Sequence, residues 1–144
     1  MFSKTCEYAI KAMVYIWHRD YSVTTWASLK EIAEAIDSPP SFTSKVLQQL
    51  AKKELLLSMR GPSGGFSKLK KGDIRLGDVI MAIDGPKITR KCILGFEECN
   101  TAYPCALHDK FAHIRDDLNK VLDETKIEGL GDLFSSGAFY LKED

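Results

Sequence analysis

Three of the chain's four cysteines, Cys92, Cys99 and Cys105, fall within fourteen residues, while the fourth, Cys6, stands alone near the N-terminus. The stretch Cys92-Ile-Leu-Gly-Phe-Glu-Glu-Cys99-Asn-Thr-Ala-Tyr-Pro-Cys105-Ala-Leu-His108 reads as a loop rich in ligand atoms. Thiolates are soft donors that suit iron–sulfur clusters, zinc or copper(I). His108 follows Cys105 by three residues, one helical turn, so its imidazole can face the same site. Zinc binding and metal-free thiol sensing are the plainer alternatives. A thiol oxidoreductase would need a Cys-x-x-Cys pair in a βαβ pattern, and the sequence has none. Gly61 to Gly65 joins two strand-like runs instead of opening a helix, which argues against a nucleotide site. The chain therefore does not read as an enzyme.

A second set of residues suits a polyanion. Through Arg75 the chain carries twelve Lys/Arg against seven Asp/Glu, a net of +5; from Leu76 onward it carries eight against thirteen, a net of −5. A basic first half fits nucleic acid, and an acidic second half fits protein or solvent. Within the basic half, a helix beginning near Ser41 would point Ser41, Thr43, Ser44, Lys45, Gln48 and Gln49 outward. Hydroxyls can reach phosphates or base edges, Gln can read adenine, and Lys can bind phosphate or guanine. Arg60 and Ser63 in the following Gly/Pro-rich turn, with Lys68, Lys70 and Lys71 after it, would form a basic hairpin against the backbone or minor groove.

The elements needed to hold these residues can be read from periodicity. A first helix spans 5–19, with Ala9, Met13, Ile16 and Trp17 at helical spacing. Ser28-Leu-Lys-Glu31 is a capping box that starts a second helix, which Asp37-Ser-Pro-Pro40 ends. A third helix covers 41–53, with Phe42, Val46, Leu47 and Leu50 inward. Strands at 55–59 and 66–69, joined by Arg60-Gly-Pro-Ser-Gly-Gly65, make a hairpin. Three helices followed by a hairpin is the order of a winged helix-turn-helix. A fourth helix, 76–83, stops at Asp84-Gly-Pro86, and the cysteine loop runs over 87–104. A long helix from Ala106 to about Thr125 carries Phe111, Ile114, Leu118, Val121 and Leu122 on one face. A second copy of the same helix could cover that face, giving a homodimer whose twofold matches a pseudo-palindromic operator in duplex DNA. Packing back on the chain's own first helix is the alternative. The tail keeps Leu130, Leu133, Phe139 and Tyr140, enough to pack. His18 and His113 read as surface or packing residues, and Trp17 and Trp26 as anchors.

The expected architecture is thus mostly α with a small β-hairpin: a winged helix-turn-helix (1–85), a cysteine loop (86–105), and a dimerisation helix with tail (106–144). At 144 residues and 44% hydrophobic, the chain can bury a core. It has no run approaching a membrane span and no signal-peptide pattern, so a cytoplasmic location without membrane contact is expected.

Specific motifs add a resemblance. Tyr8-Ala-Ile-Lys-Ala-Met13, Ile32-Ala-Glu34, Pro40-Ser-Phe42 to Leu50, Ser58-Met-Arg-Gly-Pro-Ser-Gly-Gly-Phe66, Leu76-Gly-Asp-Val79 and Ile83-Asp-Gly-Pro86 resemble the Rrf-two family of winged-helix regulators, the group with the IscR, NsrR and RirA types. The resemblance covers nearly the whole chain. It implies a DNA-binding transcriptional regulator, often a repressor, sensing cluster status, nitric oxide or redox stress. It implies a [2Fe–2S] or [4Fe–4S] cluster on Cys92, Cys99 and Cys105, which aerobically prepared protein can lack. The fourth ligand would be His108 or Glu7 of the partner subunit, with Cys6 a third option. A cluster-free thiol- or zinc-dependent regulator of the same family is the alternative. Two departures stand out: the six residues between Cys92 and Cys99 make a gap one longer than in the best-known members, and Glu54 stands where a glycine usually ends the recognition helix.

Overall fold

The computed structural model describes residues 1–19, 26–69 and 72–143. Its elements are α1 (Lys4–His18), α2 (Leu29–Ile36), α3 (Pro40–Lys52), β1 (Leu57–Met59), β2 (Gly65–Ser67), α4 (Leu76–Asp84), α5 (Lys87–Arg90), α6 (His108–Glu124) and α7 (Ile127–Ser135). The mostly helical fold with one small hairpin matches the expected class.

The helix starts follow from local chemistry. Ser3 caps α1 by accepting from the Cys6 N–H at 3.1 Å, and Ser28 caps α2 by accepting from the Glu31 N–H at 3.2 Å. The Glu31 carboxylate turns to α1, accepting from the Tyr15 hydroxyl at 2.7 Å and pairing with Arg19 at 3.3 Å. Pro40 occupies the first turn of α3, where its missing N–H is harmless. At the other end of α3, Glu54 takes the left-handed conformation at φ 60°, with its N–H bonded to Ala51 O and the Leu55 N–H to Leu50 O. That is the paired-bond cap usually built on glycine.

One core unites these elements. Met13 and Ile16 of α1, Ile32 and Ile36 of α2, Val46, Leu47 and Leu50 of α3, Val79 of α4 and Ile127 of α7 are each at most 1% exposed. The hairpin pairs Leu57 with Ser67, Ser58 with Phe66 and Met59 with Gly65. Phe66 is also bridged to Ala27, by two 2.8 Å backbone bonds that tie the wing to the entrance of α2. A Cβ at Gly65 would lie 2.1 Å from Ala27 O, so only glycine allows that approach.

Helix α7 is an element the sequence reading left as an unassigned tail. Backbone bonds Leu76 N–H to Thr125 O (2.8 Å) and Ile127 N–H to Ile74 O (2.9 Å) bring the chain back beside α4. From there α7 lies along α1, with buried Gly131 against the backbone of Trp17 and His18. His18 packs edge-on to Phe134 at 4.8 Å, as a packing residue, and His113 is exposed. The stripe on α6 is divided. Leu122 is buried in a second cluster with Cys6 and Ile80, and Leu118 packs against it, whereas Ile114 and Val121 remain 53% and 55% exposed. Among the described residues, no helix is long and apolar enough to cross a membrane.

Candidate nucleic-acid interface and candidate metal centre

The α2–α3 turn and the wing face one groove of about 510 Å³. Ser44 and Gln48 of α3 line one wall and Arg60 with Pro62 the other. Ser41, Lys45 and Gln48 are exposed, as are Arg60 and Ser63 at the wing tip. Lys68 is half-buried just past β2, and Lys70 and Lys71 lie outside the described residues. Gln49 is exposed but reaches toward α4, its Nε2 donating to Ala82 O at 3.4 Å. Thr43 corrects the sequence reading. It is fully buried, and its hydroxyl donates to Pro39 O at 2.9 Å, so it cannot reach a ligand. The reason is spacing: Thr43 lies three, four and seven residues before Val46, Leu47 and Leu50, on the same inward stripe. Sequence reasoning also missed Lys30, in the first turn of α2, which lines the groove.

The cysteine loop joins the one-turn helix α5 to α6. Its backbone is held at few points: Cys92 N–H to Phe96 O at 3.1 Å, Gly95 N–H to Cys92 O at 2.9 Å, and Cys99 N–H to Arg90 O at 2.9 Å. The donors come together in two pairs. Cys99 Sγ lies 3.3 Å from Nδ1 of His108, and the Cys92 and Cys105 thiols influence each other's ionisation. Burial opposes ionisation of Cys92. The Leu94 N–H (3.4 Å to Sγ), the Cys105 thiol, the Phe96 segment and the Arg115 charge outweigh it and hold Cys92 below the ordinary thiol range. Cys105 is pushed up by its bond to Cys92 and by burial, with the charges of Cys92 and Cys99 adding to the effect. Among the described residues no three His, Cys, Asp or Glu side chains converge tightly enough for a single metal ion.

The other candidate ligands stand apart. Glu7 lies on the outer side of α1, paired with Lys4 at 3.3 Å, and makes no hydrogen bond or ion pair with its own chain's loop. Cys6 is wholly buried, and burial together with the neighbouring Asp84 pushes its thiol up to about 12, the behaviour of an inert core residue. Asp84 itself accepts from the Ser3 N–H and hydroxyl, fastening the start of α1 to the end of α4.

A family model described as an iron-dependent transcriptional regulator, Rrf2, matches residues 2–132. The chain belongs to the Rrf2 family. A protein of Aquifex aeolicus that carries the provisional name of HTH-type transcriptional regulator is 31% identical over 90% of each chain. The HTH-type transcriptional regulator NsrR of Oceanobacillus iheyensis is 27% identical over 88% of this chain and 86% of its own. Among solved structures, CymR, named the global cysteine regulator of B. subtilis, is 28% identical, covers 95% of this chain and 97% of its own, and superposes with a TM-score of 0.73. This Rrf2-family chain is accordingly a winged-helix transcriptional regulator and not an enzyme.

Proposed function

We propose that this Rrf2-family protein is a DNA-binding repressor whose hold on its operator depends on an iron–sulfur cluster carried by Cys92, Cys99, Cys105 and His108. The observation that carries the reading is the 3.3 Å contact between Cys99 and His108, because it sets the imidazole of α6 beside a loop thiol within one chain. The donor set also fits by chemistry, with three soft sulfurs, one imidazole and a Leu94 N–H aimed at Cys92 Sγ. When bound, the cluster supplies a centre open to oxidation, nitric oxide and iron loss. This chain's residues would hold it: Cys92 just after α5, Cys105 just before α6, and His108 as the first residue of α6. Ligands flanking both helices would couple the spacing of α5 and α6 to the site.

In this reading Ser41, Ser44, Lys45, Gln48, Arg60, Ser63 and Lys68 face the duplex, and Lys30 joins them. The exposed Ile114 and Val121 on α6 support a homodimer across that helix, and the twofold fits a pseudo-palindromic operator. Residues 1–85, 86–105 and 106–144 then act as reader, sensor and dimer segments, α7 being shared with the reader's core. Protein purified without oxygen should be brown, with iron and acid-labile sulfide in comparable amounts; a colourless protein holding one zinc would overturn the cluster. His108→Ala should lose the cluster, and Glu7→Ala should keep it. Lys45→Ala or Arg60→Ala should cost about 1–3 kcal/mol of DNA affinity and lessen its salt dependence, while Thr43→Val should leave affinity unchanged.

A second reading, a metal-free thiol sensor, draws on the mutual influence of the Cys92 and Cys105 thiols and on the likeness to CymR. It predicts colourless protein whose DNA binding responds to oxidant and is blunted by Cys92→Ser.

A further inference from the structure

Behind the cysteine loop is a cavity of about 430 Å³ lined by Cys99, His108, Arg90 and Arg115. Arg115 lies on α6, two turns beyond His108, and the sequence offers no sign that it belongs with the cysteines. Its Nη2 donates to Lys91 O at 2.8 Å, gripping the peptide next to Cys92. Its Nη1 is buried and has no hydrogen-bond partner, and Arg115 forms no ion pair with any described carboxylate. A guanidinium cannot shed its charge, and a buried donor left without an acceptor is destabilising. Such a group is retained where an acceptor or a negative charge belongs beside it. Glu98 and Asp116 also line the cavity without pairing with Arg115, and the thiolates are the further negative charge this site can develop.

We infer that Arg115 is a positioning residue of the cysteine site: one arm of its guanidinium fixes the Cys92 segment to α6, and the other sets positive charge against the thiolate ligands. The inference rests on the cluster reading above and adds to it a residue outside the ligand set. Groups that orient ligands from behind commonly contribute 10- to 100-fold in metal retention. A cation beside an iron–sulfur site also favours the reduced, more negative state, so it raises the reduction potential.

The test uses the full chain, purified anaerobically, with Arg115→Gln and Arg115→Lys beside wild type. Helical content by circular dichroism should be the same in all three. With a chelator present, Arg115→Gln should lose its visible absorbance about 10-fold faster than wild type, and its midpoint potential should fall. Arg115→Lys should recover the potential but only part of the lifetime, since a single ammonium keeps the charge and loses the fork. A wild-type potential in Arg115→Gln overturns the inference and leaves the cluster reading intact. Wild-type protein that takes up neither iron nor sulfide overturns both. If Arg115→Gln does not fold, Arg115→Lys decides alone, and a wild-type lifetime there overturns the inference.

Discussion

The groove between α3 and the wing and the loop bearing the cysteines both present polar side chains to solvent, yet they are held in opposite ways. Behind the groove, Val46, Leu47 and Leu50 are at most 1% exposed, and Phe66 is bonded to Ala27 on one strand edge and lies opposite Ser58 on the other. Around the loop, Ile93, Leu94 and Phe96 are 51–54% exposed and Tyr103 is 81% exposed. The reading surface takes its shape from burial, so it exists before any ligand arrives. The cysteine loop has little buried area of its own, so packing fixes its shape less firmly. A stiff groove beside a compliant loop is an arrangement in which a small chemical event can move a helix.

The sharpest way to break this contrast is to delete apolar atoms on each side. Ile32→Ala, beneath the groove, should cost about 2–5 kcal/mol in denaturant unfolding. Ile93→Ala should change stability by less than about 0.5 kcal/mol. Equal costs would mean that the loop is as well packed as the reader. Next in size is the seam between α7 and α1. A Cβ on Gly131 would lie 2.9 Å from His18 N and from the Trp17 carbonyl carbon. Gly131→Ala should therefore destabilise by about 1–3 kcal/mol through overpacking, and a neutral result would show that α7 can lift away freely.

A smaller effect, of opposite sign, belongs to the end of α3. Relieving the left-handed Glu54 outweighs the chain entropy that glycine adds, so Glu54→Gly should stabilise by about 0.5–1 kcal/mol. Loss of stability there would point to an unrecognised role for the carboxylate. The smallest effect is at His18, whose ring value is lowered by burial and then by Arg19, with Glu31 opposing. Because the folded state prefers the neutral ring, its contribution is complete above the unfolded value of 6.5. It is lost as pH falls through the lower folded value. Melting temperature should thus slope downward as pH falls from 6.5 to that lower value and level off beneath it, and His18→Gln should flatten the slope; an unaltered slope would assign it to another group.

Much of the reader was legible because its signals are local. Ser28 before an apolar stripe, Pro40 at a helix start, and Gly/Pro between two β-runs each act within a few residues. Thr43 was misread because residue type was weighed over spacing: a hydroxyl suggested an outward position, though its interval to Val46, Leu47 and Leu50 placed it inside. Helix α7 went unassigned in a tail read only for Leu130, Leu133, Phe139 and Tyr140, although Ile127, Leu130, Gly131 and Phe134 keep helical spacing. Gly131 is small because α1 lies against it, a fact that no local window contains. Arg115 was invisible for the same reason, since its hydrogen-bond partner is the Lys91 carbonyl, 24 residues away.

The three cysteines, their histidine one turn on, and the order of helices and hairpin are properties of the sequence alone, since covalent spacing and short-range hydrogen bonding fix them. Which side chains meet was decided by tertiary structure. Folding α6 back against α5 brings His108 to Cys99 and Arg115 to the peptide beside Cys92, and it divides the apolar stripe into a buried half and an exposed one. Such contacts depend on how separate helices pack, and packing is settled by the whole core at once.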